Sequence, residues 1–247
     1  MELHPFLAFC DKLLSVAVDD PLPILRLLQL ADSAVPIGGA AHSFGLETLT
    51  SEGTLSVQDL ESFFREYLLE AGSLEGGFCR AAHRLASAFQ EEIWIDLNRR
   101  LSACKPARES RSASAALGRR FLELVLAMAD LPEAAQALGA SKRQGAEVHH
   151  ALAFGLVGAG LGLPADLTVI CYLHQLLAGW ISACQRLLPL GQSQAGRLLW
   201  SLKPAIVEAG ARSQGHPSNP GEIPCFTPLL EMASMRHPAL ATRLFIS

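Results

Sequence analysis

Apolar residues recur at three- and four-residue intervals over most of this chain, the spacing of one face of an α-helix. Leu25, Leu28 and Ala31 form such a face, with Gln29 and Asp32 off it. Val35 to Gly39 then breaks the pattern. Pro36 removes a backbone donor and restricts the residue before it, while Gly38 and Gly39 permit positive φ. A second helix is expected from about His42 to Glu52. Ser56 followed by Asp59 reads as an N-cap with acid in the first turn. Behind it Leu60, Phe63, Phe64, Tyr67 and Leu68 form an apolar stripe. Leu74 to Arg100 carries one or two further helices, and polar Lys105 to Ser114 is a loop or a helix start. Leu117, Phe121, Leu124, Val125 and Met128 make another face. Pro132 suits an early helical position.

Ser141 to Gln144 fits a capping box, and the helix expected after it contains Gly155, Gly158, Gly160 and Gly162. A helical glycine costs about 1 kcal/mol relative to alanine, so four of them predict close backbone approach to neighbouring helices. Pro164 to Asp166 ends that helix and starts the next. Gln194 to Ala211 reads as one further amphipathic helix, and Ser213 to Pro224 as a long loop. No segment alternates with period two, and no internal repeat is present. These patterns predict an all-α, single-domain bundle of about ten helices around a glycine-rich central helix. It would span 21–247, behind a weakly patterned extension at 1–20.

Half of the 247 residues are hydrophobic and 18% are charged, more apolar than an average soluble domain. Either the core is large or much apolar surface meets partners. A net charge of −4 speaks against nucleic acid as the main ligand. The six cysteines form no CxxC pair, which suits reduced thiols in a cytoplasmic protein. Asp11 and Lys12 interrupt the first apolar run, against a signal peptide. Ala151 to Leu163 is shorter than the roughly 20 residues that span a membrane. Leu167 to Leu190 holds His174, Gln175, Gln185 and Arg186 and reads as a buried helix.

Reactive motifs are scarce. The sequence contains no GK[ST], GxSxG or HExxH, and Gly155 to Gly160 lies in a helical pattern rather than after a strand. Cys79 with His83, and Cys171 with His174, have helical metal-ligand spacing, but each is a single pair. His149 and His150 are adjacent, so their rings diverge. His42 and Glu47 are five apart, a poor helical match. Arg108, Arg111, Arg119 and Arg120 cluster as a solvated face would, although arginine can also complete a phosphoryl-transfer site in trans. Arg243 differs, because it precedes the apolar triplet Leu244, Phe245 and Ile246. Such a triplet frays unless it docks, and a docked tail presenting one arginine is an anchor-like arrangement.

Three stretches carry a resemblance: LLQLADSAVPIGG-x-x-HSFGLETL from Leu27, RLLPLGQ from Arg186 to Gln192, and PLLEMASMRH…TRLFIS from Pro228 to Ser247. Together they resemble the urease accessory protein UreF family, from about Leu25 to the end. The resemblance implies an all-helical, dimerising, non-catalytic chaperone component in the cytoplasm. With UreD (also called UreH) it would recruit the GTP-hydrolysing UreG and help insert nickel into the urease apoprotein. GTP would bind to UreG, nickel would touch this chain only transiently, and no membrane or nucleic acid would be involved. By position, the partner contacts would be Pro36, Gly38, Gly39, His42, Ser43 and Glu47 at the turn, and Arg236, His237 and Arg243 in the tail. Gln185, Arg186 and Gln192, at the RLLPLGQ segment, are further candidates for partner contact. The resemblance also implies a tail that orders on complex formation. The chain departs from the family pattern at Ala40, where an aromatic is common, and at Ala41, where serine is common. The competing reading is a helical metal-binding protein or small-molecule enzyme built on the cysteine and histidine pairs.

Overall fold

The computed structural model describes residues 21–215 and 228–247, and every regular element in them is helical. In chain order these are α1 (Leu22–Leu30), α2 (Leu46–Ser51), α3 (Leu60–Tyr67), α4 (Ser73–Leu85), α5 (Glu91–Ala103) and α6 (Arg108–Leu126). They continue as α7 (Pro132–Gln144), α8 (His150–Gly160), α9 (Ala165–Leu187), α10 (Gln192–Ser201), α11 (Lys203–Arg212) and α12 (Pro228–Arg236). The result is the expected all-α bundle. The extension at 1–20, most of the predicted loop, Cys10 and Cys225 lie outside the described residues.

The glycine-rich helix is the centre. Every residue of α8 from His150 to Gly158 is buried, and α4, α6, α7 and α9 pack around it. The glycines set the distances. A side-chain carbon on Gly155 would lie 1.9 Å from the Cys79 carbonyl oxygen, and one on Gly158 would lie 2.4 Å from Thr168 Cγ2. Backbone therefore meets backbone where α4 crosses α8. Gly118 of α6 does the same against the loop that enters α8, 2.1 Å from the Val148 oxygen. Gly162 falls in the turn after the helix. Among the described residues, α9 alone is long and apolar enough to cross a membrane, yet 56% of its apolar window is buried. It packs as a core helix does.

Several boundaries differ from the pattern. In α1 the buried residues are Leu27 and Leu30, followed by Ala31, while Leu25 and Leu28 face outward. Leucines on both faces left the choice to packing, and Gln175 of α9 makes it by donating to the Leu30 and Asp32 carbonyls at 2.9 and 3.2 Å. The second helix starts at Leu46 rather than His42, because Phe44 and Gly45 both have positive φ, 51° and 92°. Ser141 to Gln144 closes α7 instead of opening α8. There the Ser141 hydroxyl accepts from Trp94 Nε1 at 2.8 Å, and Gly145 caps the helix. The span Gln194 to Ala211 splits at Leu202, where Pro204 lacks the donor that a continuous helix would need. The Ser56–Asp59 cap is present, with the Asp59 carboxylate accepting the Ser56 N–H at 3.0 Å. Leu60, Phe64, Tyr67 and Leu68 are buried as the stripe predicts.

Candidate functional site

The predicted residues that meet do so where the glycine turn receives the tail. After α1 the chain turns at Pro36, buries Ile37 and reaches Gly38 at φ 87°. Arg120 of α6 donates to the Ile37 carbonyl at 3.3 Å, and any side chain on Gly38 would strike that guanidinium. A 3-10 turn (Gly39–Ala41) leads into extended His42. Gly45 serves twice: its φ is left-handed, and α12 crosses over it so closely that a side-chain carbon would lie 2.8 Å from the Leu230 oxygen.

Residues 240–247 run back along this turn and are held largely by backbone. The Ile246 N–H donates to the Ala41 carbonyl at 2.8 Å, and the Ser43 and Phe44 N–H groups both donate to the Ser247 carbonyl oxygen. Ser247 Oγ lies 2.8 Å from His42 Nδ1. Glu47, in the first turn of α2, accepts from the Leu244 and Phe245 N–H groups at 2.5 and 3.1 Å. Phe245 is buried, and the Arg186 guanidinium sits 4.1 Å from its ring centroid while donating to the Ala40 carbonyl at 2.7 Å. One arginine of α9 thus ties the turn to the tail by a cation–π contact and a hydrogen bond.

His237 locks the far side. It is fully buried, with Nε2 2.9 Å from Glu47 and Nδ1 2.8 Å from Glu109. A neutral imidazole has one N–H, whereas two ionised carboxylates only accept; filling both contacts takes one proton more than a neutral ring and two carboxylates carry. Burial alone would raise the Glu47 carboxyl. The Leu244 amide, His237 and the Phe245 amide outweigh it, and the carboxyl is held below its ordinary value of 4.5.

Gly38, Gly39, His42, Ser43, Glu47, Arg186 and His237 are therefore brought together. Arg243 stands at the edge, 3.9 Å from Glu109 and half exposed. Pro36 lies exposed on the turn. Arg236 pairs instead with Glu52 at the other end of α2, at 2.7 and 2.9 Å. Gln185 is half-buried on α9, and Gln192 is exposed at the start of α10. The sequence reading missed Glu109 and Arg120. Both sit in the arginine-rich stretch that reads as a solvated face, and only their tertiary partners reveal them.

A family model described as UreF matches residues 55–203, more than half of the chain. The chain belongs to the UreF family. Its relatives include proteins named urease accessory protein UreF from Nostoc sp., 32% identical over 90% of this chain and 95% of the relative. Another, from Bradyrhizobium sp. (strain ORS 278), is 34% identical over 91% and 92%. A third, from Rhodopseudomonas palustris (strain HaA2), is 33% identical over 91% and 93%. The stretch matched by the UreF model includes neither the turn nor the tail, but Glu109, Arg120 and Arg186, which hold them, lie within it.

The cysteine and histidine pairs lie elsewhere in this UreF chain. Burial pushes the Cys79 thiol far up and the Cys171 thiol to about 11, which disfavours the thiolate that a metal needs. His83 Nε2 is engaged at 2.7 Å by the Leu163 carbonyl. Among the described residues no three His, Cys, Asp or Glu side chains are grouped to hold a metal. His149 and His150 diverge as expected. His149 joins Ser102, Ser114 and Glu147, while His150 packs edge-on against Phe121, Phe154 and Tyr172. Its bond to His149, against the cost of partial burial, holds Glu147 down at about 2.

Proposed function

We propose that this chain is a non-catalytic scaffold of urease maturation. With UreD (UreH) it recruits the GTP-hydrolysing UreG, and the assembly delivers nickel to the urease apoprotein. Nickel is cargo in this reading and GTP stays on UreG, in keeping with a sequence that has no phosphate loop. Homodimerisation and a cytoplasmic location belong to the same reading.

The observation that carries it is the outer side of the docked tail segment. On α12, Leu229, Met232 and Met235 recur every three residues and are 46–53% exposed, and Leu244 and Ile246 follow at 61% and 68%. Exposed methionine and arginine are residue types enriched at interfaces, and the exposed leucines and isoleucine add apolar area to them. The clamp holds Leu244 and Ile246 in place with no partner chain present, unlike the ordering on complex formation that the resemblance implies, and this lowers the ordering cost of association.

Two variants test the reading. Leu244→Asp with Ile246→Asp changes only exposed side chains, and removal of 242–247 deletes the Leu244–Ile246 end of the strip. Both are expected to keep the helical circular-dichroism spectrum and to lose co-purification with UreD and UreG. If folded chains of both kinds still bring down both partners, the assignment of this surface is wrong.

A further inference from the structure

His237 stands at the hinge between α12 and the tail, in the 3-10 turn His237–Ala239. Its side chain is fully buried between Glu47 of α2 and Glu109 of α6. The ring nitrogens lie 2.9 Å from Glu47 Oε2 and 2.8 Å from Glu109 Oε2, both within hydrogen-bond range. Each contact needs a proton between nitrogen and oxygen. A neutral imidazole supplies one N–H, and ionised carboxylates supply none. The three side chains meet both needs only by binding one more proton.

Both carboxylates have other donors or cations beside them, which places that proton on the ring. Glu47 takes the Leu244 N–H on Oε1 and the Phe245 N–H on Oε2, and Arg186 of α9 is close enough to interact with its charge. Glu109 Oε1 faces Arg243 Nη1 at 3.9 Å. Two carboxylates, a doubly protonated ring and Arg243 sum to zero, as buried charges require. On the turn, burial and Arg120 push His42 toward its neutral form, against the pull of Glu109. Arg236 is turned away to Glu52. Without the proton, one carboxylate would face a nitrogen lone pair in a buried contact, which is costly. Glu47 also holds the tail amides, so that cost reaches Leu244 and Phe245.

We infer that Glu47, His237 and Glu109 form a proton-binding site, and that the bound proton fastens residues 240–247 onto the glycine turn. A released ring is neutral above about pH 6.5, so the docked chain then holds one proton more than the released one. Docking therefore weakens as pH rises, by up to about tenfold per pH unit. Only the consequence for partners rests on the docking role of the strip; the hold on the tail belongs to the isolated chain.

The test uses the full chain with 15N-labelled histidine. At about pH 7 both His237 ring nitrogens are expected to carry a proton, and a single N–H overturns the proposal. Hydrogen exchange, corrected for base catalysis, then reads the tail. Protection of the Leu244 and Phe245 amides is expected to fall by up to about tenfold per pH unit above neutrality, while α8 holds. Glu109→Gln puts in an amide that both donates and accepts, so a neutral ring can fill both contacts. Its tail is expected to stay docked and to lose the pH slope. Flat protection in the natural chain, or the same slope in Glu109→Gln, overturns the proposal. If Glu109→Gln does not fold, the ring nitrogens of the natural chain decide. Capture of UreD over the same range separates the two readings. Tail protection that falls while capture holds leaves the proton site standing and removes Leu244 and Ile246 from the docking surface.

Discussion

The crossing of α4 over α8 and the clamp of the tail on the glycine turn are both tight, for opposite reasons. At the crossing, glycine removes side chains so that main chains touch, and the surroundings are apolar. At the clamp, side chains are kept and Glu47 is buried, its carboxylate facing the Leu244 and Phe245 N–H groups and His237. The first is stabilised by close packing, which any added atom disturbs. The second is stabilised by satisfied polar contacts, which fail when one partner is removed or protonated.

The difference gives a graded set of tests. The largest effect belongs to the crossing. Gly155→Ala places a carbon against the Cys79 carbonyl and is expected to cost about 3 kcal/mol or more, read as a lower urea midpoint for the whole fold. Glu47→Ala strands His237 and two amides and is expected to cost about 2 kcal/mol. Its signature is local: hydrogen exchange rises at 240–247 while α8 stays protected. Equal loss in both regions would mean that the clamp and the core are one cooperative unit.

Acid offers the same contrast without a mutation. The Glu47 carboxyl lies below 4.5 in the folded chain, so its contribution is present above that pH and is lost as pH falls through the folded value. Protection of the Leu244 and Phe245 amides is expected to decline below pH 4.5 before that of α8. The smallest effect has the opposite sign. Gly196 lies in exposed α10 with nothing near a side-chain carbon, so Gly196→Ala is expected to stabilise by up to about 1 kcal/mol. A loss there would show that glycine at 196 serves a contact the isolated chain does not make.

The crossing was legible in the sequence because its cause is local. Glycines at 155, 158, 160 and 162, within roughly two helical turns, announce close approach wherever the partner helix comes from. The clamp was legible only in part. Motif residues marked the turn and the tail, but His42 and Ser43 meet Ser247, and Glu47 meets His237 and Phe245, across about 200 residues, and no spacing rule links them. His42 and Glu47 fail the helical test because the helix between them does not exist, Phe44 and Gly45 having positive φ. Arg120 and Glu109 were hidden for a related reason: on one helix they look like solvated charge, and their roles come from the Ile37 carbonyl and the His237 ring. The outward turn of Leu25 and Leu28 was beyond periodicity too, since leucines occupy both sides of α1.

The tail is gripped at Leu244 and Ile246 through their amides alone, and their side chains take no part in the grip. Substitution of those two side chains therefore leaves the hydrogen bonds that hold the segment in place. The chemistry of the outer surface is thereby separable from the fold underneath.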